Sequence, residues 1–410
     1  MTDYYTLVKE NASERSELTK RQDEDVLLRD LDAYVMKDLA GKQLSGVVHV
    51  TLNRPKVIAE YIKSALGNTS EQIVVQTEEK SLDTDYIEDF RRLSFDATNA
   101  RLLRQNLWEL NSYFDEQACI RGGASARCLF QMVDGVLVPN ISLWDYRYVN
   151  YEMGAEGLSW ASYGFGTKRK KAAIESEQWW QQGKPTISGK EAEVVDVWHT
   201  EGNEVFLDSK KVFEQAHAYG FTPVVIRTVP LGSMLSDKGD IKNQSESVFF
   251  LIRTVIPELY RLISIIQTHN LLTIKRPIQT AFREGGPAHE APDYAEITAP
   301  GASSSADIGG GTKPVDLGAV TNAAVIALSI IDRALEEGGF SLDMFRSPLG
   351  SGVAILQAKE GRDVIFLPRL KNKALMKQGL GAMFTQQVIQ IGGTVEVGLP
   401  GHKRAFQTKK

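Results

Sequence analysis

Residues 247–269 read SVFFLIRTVIPELYRLISIIQTH, an apolar run with the period of an α-helix. Its apolar residues fall into two rows that lie side by side on the helix surface. The first row, at steps of four and three, contains Val248, Ile252, Val255, Leu259, Leu262 and Ile266. The second row contains Phe249, Ile256 and Ile263. Two adjacent faces therefore need burial, and further copies of the same chain are one source of the neighbours that cover them. Pro257 lies inside this run, where we expect it to kink the helix.

The composition is that of a folded protein with more than one structural region. The chain has 410 residues, of which 42% are hydrophobic and 24% charged, and this length exceeds what one core usually holds. The net charge of −5 argues against a general basic surface for nucleic acid. In a ring of many copies, the same negative charge would line a central channel and repel DNA from its wall, so that the DNA would slide through.

The cysteine count and the apolar stretches narrow the class of protein. Cys119 and Cys128 are the only cysteines, so neither a disulfide framework nor a four-thiolate zinc site is expected. The first residues lack the apolar core of a signal peptide. The longest apolar stretches are shorter than the roughly 20 residues that a bilayer requires, or are broken by charge, so we expect no membrane span.

Helices precede strands in the first half of the chain. The pattern predicts a peripheral helical arm within residues 1–45 and helices over 53–67 and 96–118. Strands are then predicted over 126–132, 136–138, 141–143, 146–151, 157–163, 194–199 and 223–229, with an Asp-Gly hairpin turn at 134–135. The predicted fold class is therefore α+β.

The middle of the chain is predicted to be helix, loop-rich excursion, helix. Residues 276–317 are rich in glycine, proline and serine and cannot form a core alone. A second apolar helix is predicted over 317–337. Its apolar face contains Val320, Ala324, Ala327, Leu328 and Ile331. Beyond residue 351, helical pieces are expected to be interrupted at Gly361, Pro368 and Gly379.

No pattern typical of catalysis is present. The glycines at 309–311 precede Thr312-Lys313 but lack the spacing of a phosphate-binding loop. The segment LGSG at 349–352 lacks the Gly-x-Ser-x-Gly spacing of a hydrolase nucleophile. The six histidines show no paired metal-ligand spacing. We therefore expect no enzyme, no catalytic residue, no cofactor and no metal.

The order of several segments resembles the portal proteins of tailed bacteriophages, over about residues 45–390. NRP at 53–55 with LG at 66–67 resembles an early core helix of the family. IRGG at 120–123, VDGVLVP at 133–139 and WDYRYV at 144–149 resemble its wing sheet. GFTPVV at 220–225 and SES at 245–247 are similar to the entry into its stem, APGA at 299–302 to its clip, and LGSGVA at 349–354 to its long helix.

This resemblance implies a multi-region portal fold that forms a ring, typically of twelve copies. The implied regions are a wing at 1–245, a stem helix at 246–270, a clip at 271–316, a second stem helix at 317–339, a tunnel loop at 340–350, and a wing helix and crown at 351–410. The ring would lie at one capsid vertex as the channel for packaging and ejection of double-stranded DNA. Departures from the family pattern are Pro257 in the stem and Gly361 and Pro368 in the long helix.

The resemblance also implies three groups of functional residues. The tunnel-loop residues that would touch DNA are Met344, Phe345, Arg346, Ser347 and Leu349. The stem residues at the subunit interface would be Val248, Ile252, Val255, Leu259, Leu262, Ile266, Ala324, Leu328 and Ile331. The clip residues that would dock partners are Lys275, Arg276, Arg283 and Glu284, whose charges steer association.

The implied partners are those of a virion assembled in the host cytoplasm. They are further copies of the chain, double-stranded DNA without sequence preference, the large subunit of the terminase, a head-tail adaptor, and the major capsid or a scaffold protein. The alternatives are another head-tail connector or virion protein without a DNA channel, or a nucleic-acid enzyme with an unrecognised site. A mobile linker is the alternative for 275–315, and a turn that buries Phe345 and Leu349 for the tunnel loop.

The tunnel-loop prediction has a direct test. Replacing Arg346 with Glu should leave ring assembly intact but impair DNA packaging or retention, because a cation that meets phosphate becomes an anion that repels it. Packaged DNA per assembled particle is the measurement. Unchanged packaging would remove the proposed contact.

Overall fold

The computed structural model describes residues 3–69, 71–78, 83–133, 136–177, 179–235, 237, 239–274, 278–281, 311–314, 322–337, 352–392, 394–399 and 401–407. Helices and antiparallel strands alternate in it without a parallel βαβ core, so the predicted α+β class is confirmed. The chain divides into two compact units. The first unit comprises residues 1–30, 56–250 and 351–410, and the second comprises 31–55 and 251–350.

The first unit contains most of the regular structure. Its helices are α1 (Tyr4–Glu14), α2 (Ser16–Asp30), α3 (Arg54–Gly67, whose first two residues belong to the second unit), α4 (Thr84–Arg104), α5 (Leu110–Ile120), α6 (Lys171–Glu175), α7 (Trp180–Gly183) and α10 (Gly352–Ile391). Its strands are β1 (Gly123–Val133), β2 (Val136–Trp144), β3 (Val149–Gly154), β4 (Gly157–Tyr163), β5 (Lys168–Lys170), β6 (Glu191–His199), β7 (Gly202–Leu207), β8 (Lys210–Ala216), β9 (Val224–Thr228), β12 (Thr394–Leu399) and β13 (His402–Gln407).

These strands form two sheets. The first has the order β13-β12-β2-β1-β9, in which β12 runs parallel to β2 and the other pairs are antiparallel. The second has the order β3-β4-β6-β7-β8, and β5 also pairs with β6. In register, Ser125 lies opposite Trp144 in the first sheet and Trp160 opposite His199 in the second.

Helices α4, α5 and α10 pack with the first sheet around an aromatic core. The ring of Phe384 on α10 lies 5.5 Å from that of Phe95 on α4 and 5.6 Å from that of Phe130 on β1, measured between centroids. At Gly379, a Cβ atom would lie 2.8 Å from Cγ1 of Val225 on β9. A side chain at this position would therefore force Val225 to shift, and the glycine lets the helix lie close to the sheet.

Helix α10 corrects the expectation that the tail is broken into pieces. It runs for 40 residues through Gly361, Pro368 and Gly379. A proline inside a helix removes one backbone hydrogen bond and displaces the carbonyls of the preceding turn. Here the guanidinium of Arg369 donates to the carbonyl of Ile365 at 2.6 Å, and also to that of Glu246 at 3.1 Å. The helix therefore continues through Pro368, and Arg369, the residue after it, ties this turn to the backbone at Glu246.

Two other helix predictions are wrong in their bounds. The predicted helix at 96–118 is the end of α4 and the whole of α5, separated by a turn in which Asn106 has a φ of 56°. The predicted helix at 247–269 begins only at Val255, as α8 (Val255–Ile274). Pro257 therefore lies in the first turn, where its missing N–H has no helical partner to lose, and no kink follows.

The described residues of the second unit form two helices, a two-stranded ribbon and an extended segment. Helix α8 is followed by strands β10 (Ile278–Ala281) and β11 (Gly311–Pro314), and then by α9 (Asn322–Glu337). The two strands are antiparallel, with Ile278 opposite Pro314. The predicted plan of helix, excursion and helix is thus confirmed for its described parts, and residues 317–321 of the second predicted helix lie outside them.

A buried ion pair on α10 allows a test of the first unit. The Lys373 ammonium lies 3.0 Å from Oδ2 of Asp115 and donates to the carbonyl of Leu66 at 3.1 Å. Burial raises the pKa of Asp115, and the charge on Lys373 opposes that shift. Replacing Lys373 with Met should lower the free energy of unfolding by about 3–5 kcal/mol, because it leaves a buried carboxylate without its cation.

The matched control is Lys377→Met, one helical turn further along. Lys377 pairs with Glu71 nearer the surface, where an ion pair contributes about 0–1 kcal/mol. Denaturant titration of both variants measures the difference. Equal losses of unfolding free energy in the two variants would contradict the conclusion that the buried ion pair stabilises the fold more than the one nearer the surface.

Candidate assembly surface

Helix α9 packs against α8 through one of its faces. The buried and half-buried apolar side chains of α9 recur at steps of three and four, which places them on that inner face. They are Ala324, Ala327, Leu328, Ile331 and Leu335. Leu335 is completely buried.

The opposite face of α9 is apolar and uncovered. Val325, Ile326 and Ile330 are 58%, 57% and 62% exposed. Ile326 and Ile330, four residues apart, lie on one side of the helix, and Val325 lies at the edge of the same exposed face. Ser329 and Arg333 share this face and are also exposed. We call Val325, Ile326 and Ile330 the outer row of α9.

One face of α8 is covered by a segment from early in the chain. Hydroxyl groups at steps of four along the helix bind the backbone of residues 48–52. The Val48 N–H donates to Oγ1 of Thr268 at 2.9 Å and the Val50 N–H donates to Oγ of Ser264 at 3.0 Å. The Tyr260 hydroxyl donates to the carbonyl of Leu52 at 2.9 Å.

This pairing works because two chain geometries match. Two residues of extended chain advance about 6.6 Å, and four residues of α-helix advance about 6 Å. Successive hydroxyls on α8 therefore meet every second residue of the segment, which runs antiparallel to the helix. An ion pair of 2.8 Å between Arg54 and Asp332 joins the end of the same segment to α9.

Apolar residues remain exposed on α8 as well. Ile265 and Leu272, which share a face seven residues apart, are exposed. An ion pair between Glu258 and Arg261, at 2.5 Å, lies on the same side of the helix nearer its start. The helix pair of the second unit therefore has one apolar patch on α9 and a smaller one on α8.

The structure places the predicted interface residues differently from the prediction. Val248, Ile252 and Leu259 are buried in a single copy of the chain, so they are not free to contact another copy. The first apolar row of 247–269 therefore packs in part within the chain. The remaining predicted interface residues are half-buried: Val255, Leu262, Ile266, Ala324, Leu328 and Ile331.

The sequence contained a signal for the outer row that the prediction did not use. Val325, Ile326 and Ile330 form a second apolar row beside Ala324, Ala327 and Leu328, just as two rows occur in 247–269. The tunnel-loop residues Met344, Phe345, Arg346, Ser347 and Leu349 lie outside the described residues. So do the clip residues Lys275, Arg276, Arg283 and Glu284.

Further chemical features of the described residues are few. They contain no group of three or more histidines, cysteines and acids that could hold a metal ion. None of the helices within them is both long and apolar enough to cross a membrane. Both cysteines are buried and free, and burial raises the pKa of the Cys119 thiol to about 12. Such a thiol stays protonated near neutral pH and is unreactive.

The comparisons with known proteins add no relative. No protein-family model matches this sequence, and no curated protein sequence matches it. Function is therefore inferred from the residues and from the geometry described above.

The Tyr260 hydroxyl on α8 predicts that the stability of the fold depends on pH. Burial raises the pKa of Tyr260 to about 12, against an ordinary value of about 10. The folded protein therefore binds this proton more tightly than the unfolded chain, and the stabilisation is present below pH 10 and is lost as the pH rises to 12. Tyr260→Phe should remove that alkaline loss, while sacrificing about 1 kcal/mol from the hydrogen bond to Leu52.

Urea titrations between pH 8 and pH 12 would measure the effect. Tyr61→Phe, at an exposed tyrosine on α3, is the control and should leave the pH dependence of the wild-type protein unchanged. If Tyr260→Phe loses stability between pH 10 and pH 12 as steeply as the wild-type protein does, Tyr260 is not the group responsible.

Proposed function

We propose that this chain is a portal-type subunit that assembles into a closed ring around a channel for double-stranded DNA. The observation that carries the proposal is the outer row of α9, an apolar face on a helix whose other face is already packed. The sequence resemblance to portal proteins supports the same conclusion, and the burial of Val248, Ile252 and Leu259 leaves other residues as the contact surface.

The outer row favours association on energetic grounds. Full burial of a valine or isoleucine is worth about 1.5–3 kcal/mol, and each of these three side chains keeps more than half of its surface exposed in a single copy. Single exposed apolar residues are ordinary on protein surfaces, but a contiguous row points to an interaction site.

A ring requires each copy to present two different surfaces. Contacts between unlike surfaces close into a ring when the rotation between copies divides a full turn. In this proposal the outer row of α9 on one copy packs against Ile265 and Leu272 of α8 on the next. The β10-β11 ribbon belongs to the clip, which docks the terminase large subunit and later the head-tail adaptor.

The remaining parts of the proposal concern the channel. Arg346 and its neighbours in 340–350 would contact the DNA backbone without reading the bases. The net negative charge of the chain, multiplied around a ring of about twelve copies, would keep most of the wall from gripping the duplex. The assembly would lie at one vertex of the capsid, held by the major capsid or a scaffold protein.

Substitution of the outer row tests the assembly surface. Ile330→Asp should shift the protein from rings to monomers, because assembly would bury an unpaired carboxylate. Ile389→Asp on α10 is the matched control, since Ile389 is 63% exposed and Ile330 is 62% exposed. Mass photometry of the wild-type protein and both variants is the measurement, with thermal melting to show that each variant is folded.

Electron microscopy of the wild-type assembly distinguishes the candidate functions. A closed ring with an axial opening that is lost only in Ile330→Asp supports the proposal. A wild-type protein that stays monomeric at high concentration overturns it. A dimer or an open chain of subunits would favour a connector without a DNA channel.

A further inference from the structure

A cleft in the first unit lies between α4 and the two sheets. It consists of two adjoining cavities of about 730 and 530 Å³. The residues that line both cavities are Arg101, Gln105, Asn140, Ser142 and Glu177. Together they form a groove that is lined mainly by polar and charged side chains. Nothing in the ring proposal uses this groove.

Arg127 is held rigidly on one wall of the groove. Its Nη1 lies 2.9 Å from Oδ2 of Asp196, and its Nη2 donates to Oγ of Ser142 at 2.9 Å. The guanidinium also lies 5.2 Å from the centroid of the Trp198 ring. The Nε–H of Arg127 and the indole N–H of Trp198 have no hydrogen-bond partner in the described part of the chain. Two buried donors are therefore unsatisfied at this wall.

Arg101 brings a second positive charge to the groove. It donates to Oδ1 of Asn140 and, at 2.5 Å, to the carbonyl of Ile141. Among the described residues, no carboxylate forms an ion pair with it. Burial lowers the pKa of Arg101, and the positive charges of Arg127 and Arg104 lower it further. An anion in the groove would relieve this repulsion.

Side-chain amides make up much of the remaining lining. An amide both donates and accepts hydrogen bonds, as the peptide group does, so a row of amides suits the backbone of an extended chain. The amide residues of the groove are Gln105, Asn106, Gln131, Asn140, Gln182, Asn203 and Gln215. Of these, Asn140 donates to Gln131, and Asn203 donates to Asp196 and to the carbonyl of Val197. Leu129, Trp179 and Phe213 add partly exposed apolar surface between them.

The Trp198 ring beside Arg127 is not free to stack on a nucleobase. Stacking of a base requires a free aromatic face. The ring of Trp198 is occupied by Arg127 and by His217, whose ring lies 5.9 Å away and nearly parallel. The ring of His217 in turn lies 4.7 Å from that of Tyr219.

We propose that this groove binds an extended acidic segment of a partner protein. One carboxylate of the segment would lie beside Arg101 and Arg127, and the backbone of the segment would hydrogen-bond to the amides. Arginine is suited to this role because its planar fork matches carboxylate geometry. The inference does not depend on ring assembly, since every residue that it uses belongs to one unit of one chain.

An array of twelve-residue peptides with graded Asp and Glu content at constant apolar content tests the proposal. The purified full-length protein should bind acidic peptides at least tenfold more strongly than neutral or lysine-bearing ones, and high salt should weaken the binding. Arg101→Gln should reduce the binding at least tenfold. Arg92→Gln is the matched control, because Arg92 lies on the same helix and is exposed away from the groove.

A second variant protects the test against misfolding of Arg101→Gln. Gln215→Glu, at an exposed position on the rim, places a negative charge there and should also weaken the acidic peptides. Binding that shows no preference for acidic peptides, or that both variants leave unchanged, overturns the proposal. So does displacement of a bound acidic peptide by a single-stranded oligonucleotide at equal concentration, which would identify a nucleic-acid site instead.

Discussion

The first unit depends on cations that are buried inside it and hydrogen-bonded there. Arg369 and Lys373, one turn apart on α10, are almost completely inaccessible to water. Their hydrogen bonds reach the carbonyls of Leu66 and Glu246 and the carboxylate of Asp115. A buried cation is tolerated only where such partners are in place. These contacts therefore fix α10 against three segments that are far apart in the sequence.

Much of the fold could be predicted from local pattern. The structure confirms the helix that ends at Gly67 and the strands β1, β4, β6 and β9 close to their predicted bounds. These elements have a clear period and clear end signals. The C-terminal hairpin was missed, although Val395 and Val397 alternate with polar residues and Pro-Gly follows at 400–401. Gly361, Pro368 and Gly379 predicted interrupted helices for this part of the chain instead.

The rest depends on contacts that no local pattern encodes. Nothing in residues 48–52 indicates that their amides bind Ser264 and Thr268, more than two hundred residues away. Local sequence pattern also could not identify the candidate interface. Apolar periodicity showed that 247–269 needed burial on two sides, but it could not show which row packs within the chain. The structure assigns that role to Ile252 and Leu259 and leaves Ile326 and Ile330 uncovered.

The parallel pairing of β12 with β2 has a consequence for biosynthesis. The first sheet takes its strands from residues 123–228 and again from 394–407, with residues 251–350 of the second unit synthesised between them. Helix α10, which covers this sheet, also emerges from the ribosome after the second unit. The sheet therefore remains incomplete, with one edge of β2 unpaired, until translation has passed residue 399. Exposed strand edges invite wrong pairing, so the interval between these two stages is the period in which the nascent chain most needs chaperone protection.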